Sequence, residues 1–351
     1  MPTIDADAHV VEAENVWEYL EGKERQFKPR IVRLDPDKGD ETGRRGEEYW
    51  LIDGEFSRKG RNAAKAQTPK EAAELTDVQA RLRHMDELGI DIQVLFPTLV
   101  ANLGFTRPVT QVALTGAYHR FLADVWRQSN GRLRWVVMPP YQVMSACLEA
   151  LRFGKENGAC GVMLHGLQGE RIPTDSYFEP LYEEAQQLDL PICIHAGGVI
   201  SSNRHFKHMF HSNAAIFWNS RAPVVAAFDG LARSGFPERF PALRWGFIEA
   251  SASWIPYMFH HIPLSFERRD RKTFDPDFMR RYGFYVAIET NDDIADIVTY
   301  CGNDSLVLGT DYGHDDGEPR AFQMMKENQS APEAIKKLMD DNARALFGID
   351  G

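Results

Sequence analysis

The chain has 351 residues, a formal net charge of −11 and 43% hydrophobic residues, enough apolar content for a sizeable core. The acidic balance argues against nucleic acid, whose phosphates call for a basic face, and gives no reason to expect an anionic membrane surface as a partner. No apolar stretch reaches membrane-spanning length and no apolar leader precedes the first motif, so a cytoplasmic protein is expected. Four widely spaced cysteines, Cys147, Cys160, Cys193 and Cys301, form no CxxC pair, which predicts reduced, mostly buried thiols.

In chain order, the first apolar run is TIDADAHVV (3–11). It is followed by a polar insertion, 22–75, rich in Gly, Lys, Arg and Asp. Within it, EYWLIDGEFSRKG (48–60) predicts a hairpin turning at Asp53-Gly54. TDVQARLRHMDELG (76–89) predicts a helix with Val78, Leu82, Met85 and Leu88 on one stripe, Thr76 as N-cap and Gly89 as its stop. Short apolar runs then recur: DIQVLFPT (91–98), LRWVVMPP (133–140), ACGVMLHG (159–166), LPICIHAGG (190–198), LRWGFIEAS (243–251), YGFYVAIET (282–290) and SLVLGTDYGH (305–314). Amphipathic patterns separate them, such as DSYFEPLYEEAQQLDL (175–190). APEAIKKLMDDNARALFGI (331–349) reads as a closing helix, and a second long segment, 198–242, follows the fifth run. Near-continuous apolar runs are strands buried on both faces. Eight of them alternating with helices predict an α/β fold, a (β/α)8 TIM barrel occupying 1–351 as a single domain.

In such barrels the chemistry gathers at the C-terminal strand ends. The polar residues there are Asp7 and His9 on the first run, His165 on the fourth, His195 on the fifth, Glu249 on the sixth, Glu289 on the seventh, and Asp311 with His314 on the eighth. Ionisable groups meeting in one buried cup are costly unless a divalent cation compensates them. Asp7 and His9, two residues apart, leave one face of a strand together, and His195 and Asp311 arrive from other strands. Carboxylates with imidazoles make a harder ligand set than zinc prefers, leaning toward manganese or iron with zinc still open. Glu249, acting as a bridge, would allow a second ion beside the first. His205, His208 and His211, spaced by three among aromatics, read as a lid or subunit contact rather than a metal site.

These residues resemble the amidohydrolase superfamily, in its amidohydrolase-related branch of aminocarboxymuconate-semialdehyde and resorcylate decarboxylase type. The likeness spans Ile4 to Ile349, through RLRHMDELGIDIQVLFP (81–97), YFEPLYEEAQQLDLPICIHAGG (177–198), VLGTDYGH (307–314) and NARALFGI (342–349). It implies a barrel holding a divalent metal, zinc, manganese or iron. The ligands it implies are Asp7 and His9 for the strand-one acid-x-His, His195 for the strand-five histidine and Asp311 for the strand-eight aspartate. Two departures stand out. Asp7 occupies a position that is histidine in many members, and Glu249 stands where the branch often has a proton-transferring histidine. Strand four carries His165 rather than a lysine, against a carbamylated-lysine bridge.

The expected function is therefore that of a metal-dependent enzyme acting on a small carboxylate-bearing substrate by non-oxidative decarboxylation or hydrolysis. Asp7, His9, His195, Glu249 and Asp311 would hold metal, while Glu249, Asp311, His165 and His314 would carry the chemistry. Arg58, Arg61, Arg204 or Arg221 could clamp a substrate carboxylate. Two other readings stay open: a dinuclear non-heme iron or manganese oxygenase, and a scaffold subunit of a hetero-oligomeric enzyme. A homo-oligomer is expected, with hetero-oligomers as the alternative.

Overall fold

The structure, a computed structural model, describes residues 2–33, 48–59, 68–197, 217–269, 277–314, 317–328 and 330–350. Eleven strands are present among these residues. β1 (Ile4–Val10), β5 (Ile92–Pro97), β6 (Leu133–Val137), β7 (Ala159–His165), β8 (Ile192–His195), β9 (Trp245–Ile248), β10 (Phe284–Ile288) and β11 (Leu306–Leu308) form one parallel sheet in chain order. They are the eight apolar runs of the sequence. β11 returns beside β1 through His9 N to Tyr312 O (2.8 Å) and Asp311 N to Asp7 O (2.9 Å). The sheet thereby closes into a (β/α)8 barrel, with helices connecting its strands.

Burial explains the continuous apolar runs. Every residue of β1 and β7 is buried, as a parallel strand lying between barrel core and helices requires. β1 is irregular where it pairs with β5. Asp5 is opposite Gln93 but Ala8 is opposite Leu95, so β1 carries one residue more than its partner. Strict alternation would send Asp5 the same way as Asp7 and His9. Instead Asp5 bonds sideways to Gln93 and Thr310, as a bulge permits.

The helix Val78–Leu88 is capped by Asp77 rather than Thr76. The Asp77 carboxylate accepts from Gln79 N (2.9 Å) and Ala80 N (3.1 Å), and Gly89 ends the helix at φ +71. The closing pattern forms two helices rather than one, Pro332–Leu338 and Asp341–Phe347. The chain leaves helical geometry at Asp340 (φ −145), whose carboxylate then pairs with Arg344 Nε at 2.7 Å.

The insertion contains the expected hairpin, β3 (Glu48–Ile52) and β4 (Glu55–Arg58), with β2 (Arg30–Arg33) added as a third antiparallel strand. Asp53 and Gly54 both have positive φ (54° and 86°), the two-residue turn that matches strand twist. The Asp53 carboxylate accepts from Thr106 and Arg107 N–H groups, tying the hairpin tip to the loop beyond the C-terminal end of β5. Cys147, Cys160 and Cys193 are buried free thiols and Cys301 is a half-buried one. No described helix is long and apolar enough to cross a membrane.

Candidate metal centre

Six of the strand-end residues converge. Asp7 and His9 lie on β1, His195 ends β8, Glu249 directly follows β9, and Asp311 and His314 lie in the loop after β11. Glu249 (φ 58°) and Asp311 (φ 50°) both adopt the left-handed backbone conformation, which costs a non-glycine residue about 1–3 kcal/mol and persists where neighbours enforce it. Asp292 holds the loop behind Glu249, its carboxylate accepting from Ala252 N (2.9 Å) and from the Ser251 and Ser253 hydroxyls. The Asp311 amide is held by Asp7 O.

The distances within the cluster are those of a coordination shell. Asp7 Oδ1 is 3.5 Å from His9 Nε2 and 3.2 Å from His195 Nε2, and Glu249 Oε2 is 3.5 Å and 3.3 Å from the same two nitrogens. Asp311 Oδ1 is 3.2 Å from His9 Nε2. A tetrahedral site with bonds of the zinc–nitrogen length has edges of about 3.3–3.4 Å. Ligand atoms of Asp7, His9, His195 and Glu249 all lie within 4.8 Å of one another, as do those of His9, Glu249, Asp311 and His314.

The imidazoles show why a cation fits. His195 Nδ1 is 2.9 Å from Ala196 O, so it carries a proton and donates, which leaves Nε2, facing Asp7 and Glu249, as the nitrogen an ion would take in place of a proton. This is the tautomer that metal-binding histidines adopt. His9 is buried, and among the described residues neither of its ring nitrogens makes a hydrogen bond. A buried donor left this way is costly, whereas Nε2 placed on an ion would be satisfied.

The charges lead to the same conclusion. Burial alone would lower His9 and His195, yet Asp7, Glu249 and Asp311 raise His9 well above its ordinary value, and Glu249 and Asp7 raise His195. Burial would likewise raise Asp7 and Glu249, but the imidazoles hold both below the usual carboxylate range. The cluster takes up positive charge, which protons or a divalent ion can supply.

His314 stacks on His9 with ring centroids 3.8 Å apart. Its Nδ1 is 2.7 Å from Asp311 Oδ1, and its Nε2 is 2.9 Å from Thr98 Oγ1. His165 is not brought into the cluster. Its Nδ1 faces His195 O (3.2 Å) and its Nε2 faces Ala101 O (3.0 Å); burial lowers the ring to about 4, so the neutral ring donates to one of these two carbonyl groups and is turned toward backbone rather than toward the cluster. Glu289 sits on the rim of the cleft above the cluster and pairs with Arg221 (2.6 Å). Arg61, Arg204, His205, His208 and His211 lie outside the described residues, as does the side chain of Arg58.

Thr98 was not singled out in the sequence, although it closes the run DIQVLFPT and the strand-end rule applied to it equally. Asp5 alternates with Asp7 and His9 in the sequence and yet parts from them in the fold; a bulge that turns one acid aside from its neighbours leaves no mark in a period-two pattern.

The amidohydrolase family profile matches residues 4–349, and the chain belongs to that family. Among solved structures it is similar to an amidohydrolase from Mycobacterium avium subsp. paratuberculosis K-10 (16% identity, 99% of each chain covered, TM-score 0.70). It is also similar to 2,6-dihydroxybenzoate decarboxylase from Rhizobium (17% identity, 100% of each chain, TM-score 0.65). A third likeness is to 5-carboxyvanillate decarboxylase from Novosphingobium aromaticivorans, complexed with manganese and 4-hydroxy-3-methoxy-5-nitrobenzoic acid (15% identity, 99% of this chain and 96% of that one, TM-score 0.67). At these identities the likeness establishes the barrel. With the family match, it defines an enzyme acting on small molecules whose His/Asp/Glu cluster fits a divalent metal.

Proposed function

We propose that this enzyme removes carbon dioxide from a small aromatic or unsaturated carboxylate by metal-assisted, non-oxidative decarboxylation. The observation that carries the reading is the pair of buried Nε2 atoms, those of His9 and His195, turned toward the same carboxylates of Asp7 and Glu249. The decarboxylases that share the fold support it, one of them complexed with manganese and a nitro-substituted benzoic acid.

In this reading Asp7, His9, His195 and Glu249 would hold the ion, and Asp311 lies within reach of the same His9 nitrogen. When bound, the ion supplies Lewis-acid stabilisation of the substrate carboxylate and of an adjacent oxygen. Asp311 and His314 form the proton-handling pair. The His314 nitrogen beside a carboxylate oxygen carries the proton, so Nε2 accepts from the Thr98 hydroxyl, which fixes the ring. As the carbon–carbon bond breaks and carbon dioxide leaves, the electron pair stays on the substrate carbon, and that carbon takes a solvent-derived proton passed through Asp311, whose carboxylate the neutral His314 ring orients through Nδ1–H. Stacking on His9 keeps His314 over the centre.

The test is to incubate manganese-loaded protein with 2,6-dihydroxybenzoate, 5-carboxyvanillate and related hydroxyarenecarboxylates in deuterium oxide. Carbon dioxide release with one deuterium at the vacated carbon is expected. Hydrolysis of esters or amides without decarboxylation of any acid would overturn the proposal.

One observation favours a second reading. His9, Glu249, Asp311 and His314 also form a set within 4.8 Å. His9 Nε2 can serve only one ion, so two ions would require Glu249 to bridge them. Two iron or manganese ions per chain, with dioxygen consumed during turnover, would mark a dinuclear oxygenase instead.

A further inference from the structure

Arg81 is fully buried on the helix Val78–Leu88, and among the described residues it makes no ion pair. It reaches an acid through an amide. Arg81 Nε donates to Gln93 Oε1 (2.6 Å), and Gln93 Nε2 donates to Asp5 Oδ2 (2.8 Å). Asp5 Oδ2 also accepts from Thr310 Oγ1 (2.6 Å), and Asp5 Oδ1 accepts from Thr310 N (3.0 Å) and Asp7 N (3.3 Å). A second arm leaves the same guanidinium: Nη1 donates to His9 O (3.2 Å), and the group stacks 3.6 Å from the Tyr312 ring. The Tyr312 amide donates to Thr310 Oγ1 (3.1 Å).

Burying a guanidinium and a carboxyl group inside a barrel wall costs free energy that apolar side chains would not. The ends of the network indicate what the cost secures. One arm holds the amide of Asp7 and another the carbonyl of His9, while Thr310 and Tyr312 flank Asp311. The network also lies on the seam where β11 has ended and residues 310–312 hydrogen-bond to β1.

We infer that the Arg81–Gln93–Asp5–Thr310 chain is a positioning device that sets the aim of Asp7, His9 and Asp311 across the barrel seam. Through them it sets the affinity and geometry of the bound metal. The inference rests on the reading that these three residues lie at a divalent ion. It concerns residues that touch neither ion nor substrate and act through the groups that do. Such partners are worth 10–100-fold in metal affinity in comparable sites.

The test uses the full chain and three variants. Thr310→Val keeps the side-chain shape but removes both hydroxyl bonds, Thr310→Ser keeps the hydroxyl, and Gln93→Met breaks the relay at a different point. The readouts are Mn2+ affinity by calorimetry and the visible d–d spectrum of the Co2+-substituted protein, which reports coordination geometry. Thr310→Val and Gln93→Met are expected to bind Mn2+ about 10–100-fold more weakly with an altered Co2+ spectrum, and Thr310→Ser to restore both. Wild-type affinity and spectrum in either Thr310→Val or Gln93→Met would overturn the inference. So would a Thr310→Ser protein as impaired as Thr310→Val, which would assign the loss to packing. Wild-type protein that binds neither ion would remove the metal reading itself, a result distinct from both.

Discussion

Gly309 faces Asp7 so closely that a Cβ built on it would lie 2.5 Å from the Asp7 Cβ. The glycine is needed for this approach and not for its backbone angle. Gly309→Ala must displace Asp7, because the neighbouring atom is the root of a side chain and cannot swing away. The variant is expected to fold and to lose about 10–100-fold in divalent metal affinity, measured by calorimetry with Mn2+. Unchanged affinity would show that Asp7 does not set the site.

Metal binding should release protons. Against the lowering effect of burial, the surrounding carboxylates raise His9 and His195, so both imidazoles compete for protons with an incoming ion. Apparent affinity is therefore expected to increase with pH up to the raised values, by as much as tenfold per pH unit for each displaced proton. Titrations in buffers of different ionisation enthalpy should show proton release. Affinity independent of pH between 5 and 8 would contradict the ligand assignment.

His314 and Thr98 should separate chemistry from metal binding. With the ring tied to Asp311 and Thr98, His314→Gln is expected to lower kcat by about 10²–10⁴-fold with metal content retained. Thr98→Val should lower kcat less and shift its pH profile. Loss of the ion in His314→Gln would move His314 into the ligand set and favour the dinuclear reading.

The barrel was legible because parallel strands buried on both faces are written as apolar runs, and all eight runs are strands. The strand-end rule likewise pointed to Asp7, His9, His195, Glu249, Asp311 and His314, which the fold brings together. Strand-end position alone could not separate these from His165, whose ring is turned between two carbonyl groups that only the fold supplies. The departure of Asp5 from the direction of Asp7 and His9 was hidden, because a bulge in β1 leaves the alternation of residue types unchanged. Arg81 was hidden because a basic residue on a helix reads as a solvated one, and its partner Gln93 sits inside an otherwise apolar strand. The break at Asp340 was invisible because helical periodicity continues across it.

A buried histidine outside the cluster, His119 on the helix Pro108–Gln128, gives a stability prediction. Burial and the adjacent Arg120 push His119 down to about 3, and its Nε2 accepts from Met138 N at 3.2 Å, which only the neutral ring can do. The unfolded chain takes up a proton at this histidine near pH 6.5 while the folded chain does not. Its contribution to stability is therefore fully present above about pH 6.5 and declines as the pH falls toward 3. In metal-free protein, His119→Gln should flatten the acid side of the stability–pH curve by up to about 1.4 kcal/mol per pH unit. Chemical denaturation at pH 5 and pH 7 measures it, and parallel curves for the two proteins would contradict it.

The most direct test is an anomalous difference map from crystals grown with ample Mn2+, recorded beside the same experiment on His195→Ala. One strong peak is predicted within coordination distance, about 2.0–2.3 Å, of Asp7 Oδ1, His9 Nε2 and His195 Nε2, and absent from the variant. A wild-type map with no peak among these atoms, or with an undiminished peak in His195→Ala, would contradict the metal centre on which the proposed chemistry depends.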